Sequence, residues 1–222
     1  MVSPERLAAL QQGWAKLLDR YRVAAADAYP VFDVLVAAYS APDRHYHTLE
    51  HLAEMFRVAA RLLSITDDPS AVQLAIWFHD AVYDPRASDN EARSAELAGT
   101  LLGPLGVPRA ELERVARLVH ATAHLADERP PADRETAILL DADLAILGAA
   151  PERYARYAGA IRQEYAWVPE HEYRAARAKV LDRFLARPRL FWTDLAYQEG
   201  EEQARANMTA ELATLADAPG GR

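Results

Sequence analysis

The chain contains no cysteine. That excludes disulfides, thiolate metal sites and thiol nucleophiles, and it fits a reducing compartment. Long hydrophobic runs are missing too: no apolar stretch reaches the about eighteen residues that a membrane span needs. The opening residues, Met1-Val2-Ser3-Pro4-Glu5-Arg6, lack the basic segment followed by an apolar one that marks a secretory leader. A cytoplasmic protein with no membrane partner is the expectation. Strand-type alternation and internal repeats are not found either. Positive charge is in short supply, since 33 Asp and Glu outnumber 25 Lys and Arg and leave a net charge of −8. Such an excess repels nucleic acid and anionic membranes. A phosphorylated ligand would need a local cluster of arginine.

What is present is helical. Ser3-Pro4-Glu5 is a helix start, a cap followed by proline in the first turn, and Leu7, Leu10, Trp14 and Leu17 follow on one face. A second helix over residues 26–39 turns Val31, Val34, Leu35 and Ala38 inward. The next carries Leu49, Leu52, Met55 and Phe56. Asp68-Pro69 opens a segment that is apolar on every side and ends in His79-Asp80. Ser88-Asp89-Asn90-Glu91 has the form of a capping box, Gly103-Pro104 stops the helix it begins, and an amphipathic helix runs from Pro108 to about Ala126. After a loop at Arg129-Pro130-Pro131, a nearly all-apolar helix over residues 135–147 contains Asp141 and Asp143. Pro151 and Pro169 each begin a further helix. The last follows Thr193-Asp194, with an interruption expected at Gly200 and a frayed tail over residues 218–222. Short loops leave no linker. The fold class is therefore all-α, one domain over residues 1–222 with roughly ten helices.

Four places set His or Asp in apolar helical company: His47-Thr48-Leu49-Glu50-His51, His79-Asp80, His120-Ala121-Thr122-Ala123-His124, and Asp141-Ala142-Asp143. Two histidines four apart on a helix share a face and can converge on one ion. Each piece also has a plain structural reading, as a core or surface pair. Their combination argues otherwise. A buried carboxylate is costly unless it is paired or bound to a metal, and His51, His79-Asp80 and Asp143 all fall in helices too apolar for unpaired charge. Imidazole and carboxylate together suit Zn, Mn, Fe, Co or Ni.

The order His, His-Asp, Asp on successive helices resembles the HD superfamily of metal-dependent phosphohydrolases. The text around it agrees: Arg44-His45-Tyr46-His47-Thr48-Leu49-Glu50-His51, Trp77-Phe78-His79-Asp80-Ala81-Val82-Tyr83-Asp84 and Asp141-Ala142-Asp143-Leu144-Ala145-Ile146-Leu147-Gly148. The likeness is strongest to a bacterial subgroup known only as predicted HD phosphohydrolases. It continues through Ile161-Arg162-Gln163-Glu164-Tyr165 and Ala204-Arg205-Ala206-Asn207 and covers about residues 44 to 209. His-Asp alone is a weak motif; the ordered set is a strong one. The resemblance implies an HD-type helical bundle with its motif core at about residues 44–147 and C-terminal helices 151–216 packed on it. It implies a divalent transition metal (Mn, Fe, Ni, Co or Zn, with Mg open) held by His51, His79, Asp80 and Asp143. Asp141 is the alternative to Asp143. Tyr46-His47-x-x-x-His51 is similar to the start of the cyclic-nucleotide phosphodiesterase site, which makes His47 the proton donor. Asp80 counts as both ligand and catalytic residue.

The activity implied is hydrolysis of a small phosphorylated metabolite or nucleotide, with metal-activated water attacking phosphorus. Arg44, Arg162 and Arg205 are the expected phosphate contacts, because guanidinium binds phosphate bidentately; surface pairing with Glu164 or Glu201 is the alternative. His120, His124 and Glu91 could supply a second metal or line the pocket, and Asp84 could steady a ligand histidine through its other nitrogen. His45 and His171 read as solvent-exposed. Tyr154, Tyr157, Tyr165, Tyr173 and Trp167 read as core packing between two helices, or as a platform for a nucleobase. Three rival readings stay open. His47-x-x-Glu50-His51 matches an inverted zinc-protease signature, the domain could be a non-enzymatic nucleotide or metal sensor, and a dinuclear HD oxygenase would draw on His120, His124 and Glu91. A homo-oligomer is the default expectation.

Overall fold

The computed structural model describes residues 2–63, 68–124, 130–131 and 133–217. Among these the chain is all-helical, with ten α-helices, one 3₁₀ turn and no strand. In order they are α1 (Pro4–Asp19), α2 (Ala25–Tyr39), α3 (Leu49–Leu62), α4 (Ser70–Phe78), α5 (Asn90–Leu102), α6 (Arg109–Ala121) and α7 (Arg134–Leu144). The 3₁₀ turn (Ala145–Gly148), α8 (Pro151–Glu164), α9 (Glu170–Ala186) and α10 (Asp194–Asp217) follow. No helix among the described residues is long and apolar enough to cross a membrane.

The centre is α4. Eight of its nine residues are buried, because it is apolar on every side and can only sit inside. It meets α1, α3, α5, α6 and α7. The Trp77 ring is the hub of an aromatic cluster, edge-on to Trp14 at 5.4 Å and to Phe32 at 5.7 Å, with Phe56 at 5.4 Å. Trp14 satisfies its indole N–H on the Ala28 carbonyl at 2.8 Å, so its full burial leaves no polar atom unpaired. A second, smaller cluster lies under the C-terminal helices, built from Leu144, Leu147, Tyr154, Leu181, Leu190, Phe191, Ala204 and Met208.

Local chemistry sets the boundaries. Ser3 caps α1, its Oγ accepting from the Arg6 N–H at 3.3 Å, with Pro4 in the first turn. In α2 the inward stripe is Ala28, Val31, Phe32, Leu35 and Tyr39. Val34, expected inside, is 45% exposed, because Phe32 holds the register that faces Trp77. The capping box at residues 88–91 does not form: α5 starts at Asn90 after Asp89, and neither Ser88 nor Asp89 makes a side-chain cap. Asn90 instead bonds the Asp84 backbone in both directions, at 3.0 and 2.8 Å. The helix expected to run to about Ala126 ends at Ala121, with Thr122 as its cap, and the expected tail over residues 218–222 and the loop residue Arg129 lie outside the described residues.

The helix over residues 194–217 is not interrupted at Gly200. That glycine lets α10 cross the 3₁₀ turn at backbone distance: a Cβ on Gly148 would sit 2.8 Å from the Gly200 carbonyl oxygen, and one on Gly200 would sit 2.9 Å from the Phe191 ring. Asn207 then bonds the Leu147 and Ala149 carbonyls, both at 2.8 Å. Replacing Gly148 with alanine should push α10 off the turn and destabilise the protein by about 1–3 kcal/mol, as overpacking does. A denaturant midpoint equal to wild type would contradict this.

Candidate metal centre

Four elements converge at the C-terminal end of α4. His79 is its last, capping residue, and Asp80 follows in the turn. Tyr39 on α2 holds that turn, its hydroxyl donating to the Trp77 carbonyl and accepting from the Asp80 N–H, each at 3.2 Å. Arg44 grips the same turn by donating to the Asp80 and Ala81 carbonyls at 2.7 and 3.2 Å. From α3 comes His51, in the first turn of the helix. From the end of α7 comes Asp143.

The donor atoms meet closely. Nε2 of His51 and Nε2 of His79 are 3.2 Å apart. His79 Nε2 lies 3.0 Å from Asp80 Oδ2, and His51 Nε2 lies 3.2 Å from Asp143 Oδ1. His79 Nε2 to Asp143 Oδ1 is longer, 3.8 Å. The other nitrogen of His79 faces the Ile76 carbonyl at 3.0 Å. A carbonyl only accepts, so Nδ1 carries the hydrogen and Nε2 offers its lone pair to the cluster. The His79 lone pair therefore faces the Asp80 carboxylate at 3.0 Å, an arrangement that positive charge relieves. Ligands bound at ~2.1 Å to one ion lie about 3.0–3.4 Å from each other, the edges of an octahedron or tetrahedron, and the three shorter spacings, 3.0 to 3.2 Å, match. His51, His79 and Asp80 can hold a metal ion, with Asp143 beside them.

The electrostatics agree. Burial would push the Asp80 and Asp143 carboxyls up, but the surrounding histidines outweigh it and hold both below the usual carboxylate range. Burial, helped by the neighbouring His79 and His47, lowers the His51 pKa against the pull of Asp143. In His79 burial is overcome by Asp80 and Asp143, which push it up to about 9. The site thus demands positive charge at His79 Nε2, and a proton or a cation can supply it.

The surroundings fix each member. His124 lies past the end of α6 with a left-handed backbone, φ 49°, which histidine tolerates better than most residues. Its Nε2 meets Asp143 Oδ2 at 2.8 Å, leaving Oδ1 turned to His51. His47 precedes α3, so the expectation that His47 and His51 share a helical face is corrected: Thr48 is the cap, and His47 reaches the cluster from a loop. That loop is held by Glu164 of α8. One carboxylate oxygen accepts the backbone N–H groups of His45, Tyr46 and His47 at 2.8, 2.7 and 3.0 Å. The other meets His47 Nδ1 at 2.7 Å and accepts from the Tyr83 hydroxyl at 3.0 Å. His47 Nε2 is left facing Asp80 Oδ2 at 3.8 Å. Burial lowers the His47 pKa, but Asp80 and Glu164 outweigh it and raise it.

No protein-family model, no curated protein and no solved structure matches this chain. The site's case rests on its own geometry.

Not every expected residue joins it. Asp141 points the other way, since two residues along a helix turn a side chain by about 200°. Its oxygens accept the Trp192 and Thr193 N–H groups, both at 2.7 Å, and anchor the start of α10. His120 is exposed on α6, so the pair with His124 is split by the helix end. Asp84 accepts from the Arg86 N–H at 2.9 Å in its own turn and touches no ligand histidine; the Ile76 carbonyl has that role. Glu91 does line the cavity beside His79 and Asp80. The three arginines expected on phosphate are spent on backbone carbonyls. Arg44 serves His47, Asp80 and Ala81, Arg162 serves Tyr165 and Val168, and Arg205 serves Leu185 and Arg187. Arg162 also pairs with Glu170, and Arg205 with Glu201. His45 and His171 are exposed. Glu50 pairs with Arg6 at the surface, which together with the absence of strands among the described residues removes the support for a protease reading.

Two open cavities reach the cluster. One, of about 550 Å³, exposes His47, His79, Asp80, His124 and Asp143. The other, of about 870 Å³, exposes His51 and Asp143 from the far side. Tyr46, Tyr157 and Ile146 form the wall between them. Tyr165 and Tyr173 also line the first cavity, while Tyr154 is buried and Trp167 lies exposed at 48%. Sequence reasoning missed Glu164, Tyr83, Arg183 and Arg187. For Glu164 a signal existed, since it lies three residues after the inward Ile161 and so on the same face.

Asp141→Ala should cost roughly 2–4 kcal/mol by leaving two buried N–H groups without acceptors, yet keep the metal; Asp143→Ala should lose the metal and keep the fold. Thermal melts and elemental analysis separate the two, and the reverse pattern would exchange their roles. Glu164 is held down to about 2 against 4.5 for the free carboxyl, mostly by His47 and backbone N–H groups acting against burial. Its stabilisation, on the order of 3 kcal/mol, is present above pH 4.5 and lost as pH falls through about 2. The stability gap between wild type and Glu164→Gln should narrow over that window in urea titrations, and a constant gap would refute the assignment.

Proposed function

We propose that the protein is a metal-dependent phosphohydrolase of the HD type, acting on a small phosphorylated metabolite or nucleotide. The observation that carries this is the meeting of His51, His79 and Asp80 at donor spacings suited to one cation. Support comes from the ordered motif in the sequence and from the position of His47 at the cluster's edge.

His51, His79, Asp80 and Asp143 would hold the ion. A bound divalent transition metal supplies a Lewis acid for a phosphoryl oxygen and lowers the pKa of water. The remaining work falls to the chain. Glu164 fixes Nδ1 of His47 as the hydrogen-bearing nitrogen on its side, which leaves Nε2 toward the cavity to hold and deliver a proton to a leaving oxygen. Tyr83 pins the second oxygen of Glu164, so the carboxylate cannot rotate away. His124 holds Asp143, and the Ile76 carbonyl orients His79. Positioned general acids of this kind contribute about 10² to 10⁴ in rate.

The decisive experiment joins metal analysis to turnover. Purified protein should carry about one transition metal per chain, and His79→Ala should lose it. With the metal present, a panel of phosphorylated metabolites should yield inorganic phosphate. His47→Ala should keep the metal and lose about 10²-fold or more in rate on substrates with poor leaving groups, and much less on good ones. A metal-loaded protein that hydrolyses none of the panel would overturn the enzymatic reading and favour a sensor.

A further inference from the structure

Arg183 and Arg187 lie four residues apart at the C-terminal end of α9 and so share a face. Both line the cavity that exposes His79, Asp80, His124 and Asp143. Among the described residues neither pairs with a carboxylate, while several acidic groups of α9 and α10 serve other arginines. Glu170 takes Arg162 and Arg174, Glu211 takes Arg177, and Asp194 takes Arg189. Arg187 is half-buried. It gives one N–H to the His124 carbonyl at 2.9 Å and stands over the Phe184 ring at 4.5 Å, so it is tied to the residue that holds Asp143. Arg183 is exposed and its guanidinium makes no hydrogen bond among the described residues. The two cations are close enough that burial and the charge of Arg183 together depress Arg187.

This is an unusual use of charge in a chain with a net charge of −8. The floor of the cavity carries two ionised aspartates, and an anion approaching it meets repulsion unless cations line the way. A helix C-terminus favours basic residues through its dipole, a small effect. The dipole accounts for the residue type but not for two uncompensated guanidiniums on one cavity wall. Paired guanidiniums offer several donors in planar forks, the arrangement that phosphate accepts bidentately.

We propose that Arg183 and Arg187 form the anion-binding subsite of this cavity and receive a phosphate group of the substrate. The identity of the anion rests on the phosphohydrolase reading; the subsite itself rests on the placement of the two arginines. It takes the role first expected of Arg44, Arg162 and Arg205.

The test titrates inorganic phosphate into the manganese-loaded full chain. Wild type is compared with Arg183→Gln, Arg187→Gln and the double variant, and with Arg109→Gln, which removes the same charge at the exposed start of α6. The double variant should bind phosphate about tenfold more weakly or worse, with unchanged metal content, and Arg109→Gln should bind as wild type does. Arg183→Gln alters an exposed side chain without hydrogen bonds, so it reports on the subsite even if Arg187→Gln folds poorly. Equal affinity in wild type and the double variant would overturn the subsite, leaving phosphate to the metal alone. So would an equal loss in Arg109→Gln, which would be bulk charge, and so would no phosphate binding by wild type. If phosphoesters are hydrolysed with the same KM in the double variant, the subsite fails and the hydrolase reading stands. If phosphate affinity depends on the pair and nothing is hydrolysed, the reading fails and the subsite stands.

Discussion

Two ionised carboxylates beside two buried imidazoles cannot rest in a helical core without positive charge among them. That demand, at the C-terminal end of α4, organises the molecule. α4 is itself too apolar to compensate anything, so the charges gather where it ends and other elements reach in: His51 from α3, Asp143 from α7, His47 from the loop before α3. The lone pair of His79, fixed by the Ile76 carbonyl, points into this group. Losing one partner of such a cluster leaves an uncompensated buried charge, which costs far more than the cluster contributes. A cation held here therefore links stability to chemistry.

The long charged side chains around the site do a second job. Loops cannot pair their backbone groups as helices do, and buried N–H and C=O groups need partners. Glu164 accepts N–H groups from the loop before α3, and Glu201 and Asp141 accept them from the loop between α9 and α10. Arg44, Arg162 and Arg205 donate to carbonyls at turns and helix ends. Their rigidity reaches the cluster directly: Glu164 sets His47, and Arg44 and Tyr39 set Asp80. Arg183, which makes no such bond among the described residues, and Arg187, which gives one N–H to the His124 carbonyl, line the cavity without a carboxylate partner.

The helical class, the count of helices and the buried character of α4 could be read from the chain, because apolar periodicity and proline or glycine breaks act within a few residues. The gathering of His51, His79 and Asp80 could be anticipated for a related reason. Carboxylates and imidazoles in apolar helices need partners, and few were on offer. The choice of Asp143 over Asp141 had support only from the resemblance to HD proteins; the helical turn between them decides which faces the cluster.

Contacts between elements far apart in sequence were beyond such reading. Gly200 looked like a break and is a crossing point, because the residue it must clear, Gly148, is distant in the chain. Arg162 and Arg205 looked like phosphate ligands and proved to hold carbonyls. Glu164 looked like a surface partner and holds the loop that carries His47. A charge in sequence reveals what a side chain can donate or accept, and that much is fixed by chemistry. Which backbone group, ligand or neighbour takes it depends on packing geometry across the bundle, and only the tertiary structure supplies that.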